Sequence, residues 1–168
     1  KNAFGRVLPK LVARVEARRR SPDQSSALLQ SLLFGRNNKP FNAAGVTGYE
    51  WLSRDPAAVE RYVDDPLCGF VLTTGSLVDL FHGAAVTQTQ VCLENIPKEL
   101  PIYVFAGMED PVHNGKADIE RMLDAWRTTG LTRVEHRWYP GGRHEVFNET
   151  NRDEVMRDLV EWLHRVTS

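Results

Sequence analysis

The sequence predicts an α/β fold whose second part alternates strand and helix, and three observations predict it. A continuous apolar run, Ile102-Tyr103-Val104-Phe105-Ala106, lies between Pro101 and Gly107. A run without polar alternation suits a strand covered on both faces, as in a parallel sheet. A stripe at helical spacing follows (Ile119, Met122, Leu123 and Trp126, closed by Gly130), and then a second strand-like run from Val134 to Tyr139. Strand, crossover helix, strand and helix in this order form a βαβ unit with parallel strands.

The chain divides near residue 95, into 1–95 and 96–168. In the first part Leu8, Leu11, Val12 and Val15 recur at helical spacing and run into Arg18, Arg19 and Arg20, before Pro22 breaks the pattern. The basic cluster from Arg14 to Arg20 suggests a phosphate or anionic-membrane patch, but cations on a solvated face near a helix C-terminus explain it as well. A second apolar stripe holds Ala27, Leu28, Leu32 and Leu33 and ends at Gly35. Turn residues are dense from Asn37 to Pro66, and Tyr49, Trp51 and Leu52 are the anchors expected to hold that stretch down.

In the second part the run Val134–Tyr139 is half-alternating, which places it nearer a sheet edge. Asn151, with Glu154 three residues on, is expected to cap a last helix that buries Val155, Leu159, Trp162, Leu163 and Val166. The outer edge of the first strand has no partner in this pattern. These residues are therefore expected to belong to a longer polypeptide or to pair with a companion chain. No internal repeat or low-complexity segment interrupts them.

Composition narrows the function. The chain has 168 residues, 42% of them hydrophobic, and a net charge of -1. Neither a basic excess for nucleic acid nor an acidic tail is present. No apolar run approaches the roughly 20 residues of a membrane span. The opening KNAFGRVLPK lacks the basic-then-apolar layout of a secretory signal and an initiator Met, so a mature, trimmed or partial product is expected. Cys68 and Cys92 fit neither a disulfide framework nor a zinc site, and read as two reduced, half-buried thiols of a cytoplasmic protein.

The chemistry concentrates in two loops at carboxyl ends of strands, where open α/β sheets bind ligands. Gly107-Met108-Glu109-Asp110-Pro111 presents a carboxylate, and Pro140-Gly141-Gly142-Arg143-His144 presents an imidazole. A carboxylate beside a His holds it in one tautomer and stabilises the imidazolium formed when it takes a proton. Gly141 and Gly142 allow the tight turn that swings His144 over the strand end. Glu109 is the alternative to Asp110 as the acid. A metal site from His82, Asp110, His113 and His144 is a weaker alternative, because no pair stands at i, i+3 or i, i+4 on one helix. No metal and no cofactor are expected.

The stretches LPIYVFAGMEDPV, a following Gly-Lys pair, and YPGGRHEVFNETNRDE before a Trp-Leu helix carry a family resemblance. Together they resemble the lysophospholipase and monoacylglycerol-lipase-like branch of the α/β-hydrolases. The resemblance implies that this chain is the C-terminal part of an α/β-hydrolase fold. Residues 1–95, with WLSRD and DPLCGF, would be the helical cap, and 96–168 the last βαβα part of the core. It further implies Asp110 as the acid after the seventh strand and His144 as the base after the eighth. The implied substrate is a small-molecule lipid ester with a single acyl chain, and a peripheral membrane contact stays an open alternative.

One element of the family pattern is missing. Such enzymes set the nucleophile in a Gly-x-Ser-x-Gly elbow. None of Ser21, Ser25, Ser26, Ser31, Ser53, Ser76 and Ser168 stands in one; the nearest, Ser76, has Thr74 and Val78 where the glycines belong. The nucleophile and the oxyanion donors are therefore expected from a missing N-terminal half, and this chain alone is expected to be inactive. Two rivals remain in view. One is an α/β-hydrolase with an Asp nucleophile, of the epoxide hydrolase or dehalogenase type. The other is a non-catalytic fragment that binds a partner through its open sheet edge.

Overall fold

The computed structural model describes residues 12, 15, 16, 19, 21–43, 45, 47–113 and 115–168. Val12 and Val15 of the first predicted stripe are helical, whereas Leu8, Leu11 and most of the Arg14–Arg20 cluster lie outside the described residues. Helix α1 spans Ala27–Phe34 and starts where the Ser26 hydroxyl accepts from Leu29 N at 3.3 Å. It does not bury the stripe read from the sequence. Leu29 is fully buried, while Leu28 and Leu32 are 54% and 47% exposed. Leu28-Leu29 and Leu32-Leu33 are adjacent pairs, so two neighbouring faces read as apolar, and packing of Leu29 against Leu77 selects one of them.

Helices α2 (Pro56–Asp64), α3 (Thr74–Val86) and α4 (Gln90–Glu94) follow. Each is opened by a side-chain oxygen, from Asp55, Thr73 and Thr89 respectively, that accepts a backbone N–H of the first turn. The turn-rich stretch between α1 and α2 is held as expected. Trp51 and Leu52 are buried with Phe41, and Tyr49 and Tyr62 pack against them.

Strand β1 (Ile102–Gly107) pairs in parallel with β2 (Val134–Tyr139), from Ile102 opposite Val134 to Gly107 opposite Tyr139. Helix α5 (Lys116–Thr128) makes the crossover and buries Leu123 completely. Helix α6 (Arg152–Thr167) packs on the pair through Val155, which clusters with Tyr139, Val146 and Phe105, and through Trp162, which stacks on Tyr103. Two expectations for α6 need correction. Leu163 is 42% exposed. Asn151 does not cap with its side-chain oxygen: that oxygen accepts from Arg54 Nη2 at 2.9 Å, and Asn151 Nδ2 donates to Glu154 instead. A competing cation, Arg54, has taken the capping oxygen.

The strands end in loops that bond to each other. Met108 N donates to Tyr139 O at 3.0 Å, and Glu109 N donates to Gly142 O at 2.9 Å. The approach is so close that a Cβ on Gly107 would overlap the carbonyl oxygens of Gly142 and Arg143. Gly141 turns the second loop at φ 70°, a conformation that favours glycine. Among the described residues no helix is long and apolar enough to cross a membrane.

Replacing Gly107 by Ala is predicted to destabilise the protein by about 1–3 kcal/mol, the usual cost of overpacking, read from the chemical-denaturation midpoint. An unchanged midpoint would contradict the close approach of the two loops.

Candidate active site

The paired loops put Asp110 and His144 side by side. His144 Nδ1 donates to Asp110 Oδ2 at 3.0 Å. The other carboxylate oxygen, Oδ1, accepts from Val112 N at 2.8 Å, so the Asp-Pro turn aims the acid with its own backbone. The Asp110 side chain is 9% exposed and that of His144 37%. With Nδ1–H committed to the carboxylate, the neutral ring leaves a lone pair on Nε2. That nitrogen is not engaged by Asp110, whose bond goes to Nδ1. Glu109, the alternative acid, is exposed and makes no hydrogen bond to His144.

The charges reinforce the pair. Burial pushes the Asp110 carboxyl up, but hydrogen bonds from His144 and Val112 and the nearby imidazole outweigh it, and the group is held below its ordinary 3.8. The hydrogen bond to Asp110 raises His144 above its ordinary 6.5, against the opposing effect of burial. His113 stands close by: its Nε2 is 3.9 Å from Asp110 Oδ2 and donates to Gly107 O at 2.9 Å. Of the residues named in the metal alternative, Asp110, His113 and His144 lie together, while His82 stands exposed on α3. Both cysteines are free and half-buried.

The stretch before α2 grips the His loop. His144 N donates to Trp51 O at 3.3 Å, Glu145 N donates to Leu52 O at 2.8 Å, and the indole of Trp51 lies 5.0 Å from the imidazole, centre to centre. Arg143 Nη1 donates to Glu50 O at 2.6 Å and Ser53 O at 3.0 Å. Glu149, fully buried, accepts from Arg54 Nε, Arg54 N, Arg143 N and Thr150 N at 2.8 to 3.2 Å. Glu50, in the stretch before α2, is a second buried carboxylate. It accepts from Asn38, Thr47 and Gly48; burial alone would raise its carboxyl, but hydrogen bonds from Thr47 and Asn38 bring it down to about 2.

Trp51 also faces a cavity of about 850 Å³, lined among others by Phe34, Tyr62, Cys68, Phe70 and Leu72. Trp51 is thus shared between the surroundings of the Asp–His pair and an apolar cleft in the first part of the chain. Sequence reasoning marked Trp51 only as an anchor and missed Glu149, Arg54 and Arg143 as members of the site. A lone Glu among Asn, Thr and Arg carries no periodic signal, and its burial depends on partners 95 residues away.

A family model described as serine aminopeptidase, S33, matches residues 4–151, a span that holds both Asp110 and His144. This chain belongs to the S33 family of α/β-hydrolases. Solved structures agree on the fold. A thermostable carboxyl esterase from Bacillus coagulans, crystallised with glycerol, is 23% identical with a TM-score of 0.84, covering 98% of this chain and 53% of its own. A lipase in its open form is 28% identical with a TM-score of 0.78, covering 94% and 50%. A monoglyceride lipase from Saccharomyces cerevisiae is 18% identical with a TM-score of 0.63, covering 93% and 48%. This S33 chain thus spans about half the length of each solved neighbour. Helices and a short parallel sheet matching half of an α/β-hydrolase are the fold class expected from the sequence.

The two shifts in the S33 pair predict a pH window. The His144 share of the stabilisation is fully present below 6.5 and is lost as pH rises through the higher folded-state value. The Asp110 share is present above 3.8 and is lost as pH falls through the lower folded-state value. The pair contributes most between these limits. Followed by NMR at Cε1–H, His144 is expected to titrate above 6.5, and Asp110→Asn to bring its midpoint down. A midpoint that does not respond to Asp110→Asn would contradict the coupling.

Proposed function

We propose that this chain supplies the acid and the base of a serine-type carboxylic ester hydrolase, Asp110 and His144, and that the serine comes from outside these 168 residues. The observation that carries this reading is the Asp110–His144 hydrogen bond of 3.0 Å, packed against Trp51, a residue that also lines an apolar cleft. Two further facts support it. No Ser in the chain stands in a Gly-x-Ser-x-Gly elbow, and the solved neighbours it half-covers are esterases and lipases.

In this mechanism Nε2 of His144 takes the proton from the serine hydroxyl as its oxygen attacks the ester carbonyl, and the imidazolium is stabilised by Asp110. The same proton passes to the departing alcohol, leaving an acyl-enzyme. A water, deprotonated by His144 in its turn, attacks the acyl carbonyl and releases the acid and the serine. His144 must be neutral to accept the proton. Because Asp110 raises it, the acid limb of kcat/KM lies above the ordinary histidine value.

The substrate class we favour is an ester with a single acyl chain, of the lysophospholipid or monoacylglycerol kind. The cleft is lined by Phe34, Trp51, Phe70 and Leu72, which suits a hydrocarbon chain better than a polar one. Residues 1–95 would then act as a cap over the site and 96–168 as core. Leu67 and Phe70, 80% and 65% exposed beside the cleft, suit contact with a lipid surface.

In the complete enzyme, this chain together with the segment that carries the nucleophile, His144→Ala is predicted to remove nearly all hydrolysis of a monoacylglycerol. Asp110→Asn is predicted to lower kcat on the order of 10⁴-fold, by analogy with other triads. Near-normal activity of Asp110→Asn beside a dead Glu109→Gln would move the acid to Glu109. Faster cleavage of an amino-acid anilide than of any ester would replace the esterase reading with a peptidase one. The chain by itself is predicted to hydrolyse no p-nitrophenyl ester and to take no label from a fluorophosphonate; labelling of any of its own serines would overturn the external nucleophile.

A further inference from the structure

We infer that Glu149 is a positioning residue for His144, acting through the backbone of the His loop rather than through the imidazole. The inference rests on His144 being the base, as proposed above, and gives a role to a residue that lies within the His-loop motif but carried none. Glu149 is the acidic side chain with the most complete burial among the described residues, at 0% exposure. A carboxylate stripped of water is stable only where donors replace the lost solvent. Four do so here: Arg54 Nε at 2.8 Å, Arg54 N at 3.2 Å, Arg143 N at 2.8 Å and Thr150 N at 3.1 Å.

The placement of these donors gives the carboxylate its role. Arg143 is the residue immediately before His144, and Arg54 closes the stretch whose carbonyls at Trp51 and Leu52 receive the amides of His144 and Glu145. Glu149 therefore pins two chain segments together at the point from which the imidazole projects. The Arg54 guanidinium lies close against the turn: a Cβ on Gly141 would sit 2.7 Å from its Nη1. On the other side Arg143 reaches back to the carbonyls of Glu50 and Ser53, and its guanidinium covers the ring of Phe41 at 4.2 Å. The loop is held from both ends, and His144 needs no contact with Glu149 to be placed by it. Other groups facing the imidazole are Asp110, Glu145 and Trp51, with His113 behind the carboxylate.

Glu149→Gln keeps shape and size but turns an amide N–H₂ toward donors that need an acceptor. In the complete enzyme the expected result is a folded protein whose kcat for a short-chain p-nitrophenyl ester falls about 10–100-fold, the scale of an ångström-level misplacement, with KM nearly unchanged. The contact with Asp110 loosens, so the acid limb of the pH profile moves to lower pH. The downfield proton resonance of the His144 Nδ1–H···Asp110 bond weakens, a readout that does not depend on turnover. A folded Glu149→Gln with parental kcat, acid limb and downfield proton, beside an inactive His144→Ala, overturns the inference alone. Full activity of both variants overturns the reading beneath it as well. Should Glu149→Gln not fold, Arg54→Gln is the substitute, since it leaves the three main-chain donors to Glu149 in place. A smaller fall in kcat with the same shift of the acid limb then supports the inference, and unchanged values overturn it.

Discussion

The backbone contact between the ends of the two strands is the constraint on which the site rests. Parallel pairing runs to Gly107 opposite Tyr139 and continues into the loops through Met108 N to Tyr139 O and Glu109 N to Gly142 O. Such an approach is open only to residues without a Cβ, because one on Gly107 would overlap two carbonyl oxygens. Once the loops are joined, the residues that follow them have little freedom. Asp110 is turned by its own bond to Val112 N, His144 by the turn at Gly141, and they meet at 3.0 Å. A loop pair one residue longer or bulkier would leave the carboxylate and the imidazole as two separate surface groups.

Around this contact the buried charges are arranged as hubs. Glu50 and Glu149 are both nearly or fully removed from solvent, and both are satisfied chiefly by hydrogen bonds from nearby backbone and side chains. Glu50 organises the turn that delivers Trp51, and Glu149 ties that same turn to the His loop. Buried carboxylates of this kind add little net stability compared with apolar packing. What they add here is position: each can satisfy its donors in only one arrangement of the two segments. The irregular stretch before α2, which has no repeating backbone ladder of its own, is ordered by them.

Trp51 connects this scaffold to the cleft. Its carbonyl holds the backbone of His144, its ring packs on the imidazole, and the residue also lines the apolar cavity. The proposed base and the proposed acyl site therefore share a wall. A change that moves the ring would reach both, which gives the helical first part of the chain a direct route to the chemistry at the sheet.

By itself the sequence determined the α/β class, the parallel pair, the crossover helix and the two loops that carry the carboxylate and the imidazole, while leaving Asp110 and Glu109 as alternatives for the acid. Those features are local: an apolar run, a 3.6-residue stripe and a glycine turn each announce themselves within about a dozen positions. The family motifs lie in the same short stretches, so the resemblance was legible too. Only the tertiary structure decided which of two adjacent leucine faces α1 buries, that Arg54 takes the oxygen of Asn151, and that Glu149 is a buried hub. In each case competing local choices are nearly equal in energy, or the deciding partner is far along the chain: Leu77 for Leu29, Arg54 for Asn151 and Glu149. Burial of a polar group is a property of the assembled surface and leaves no periodic mark on the residues beside it.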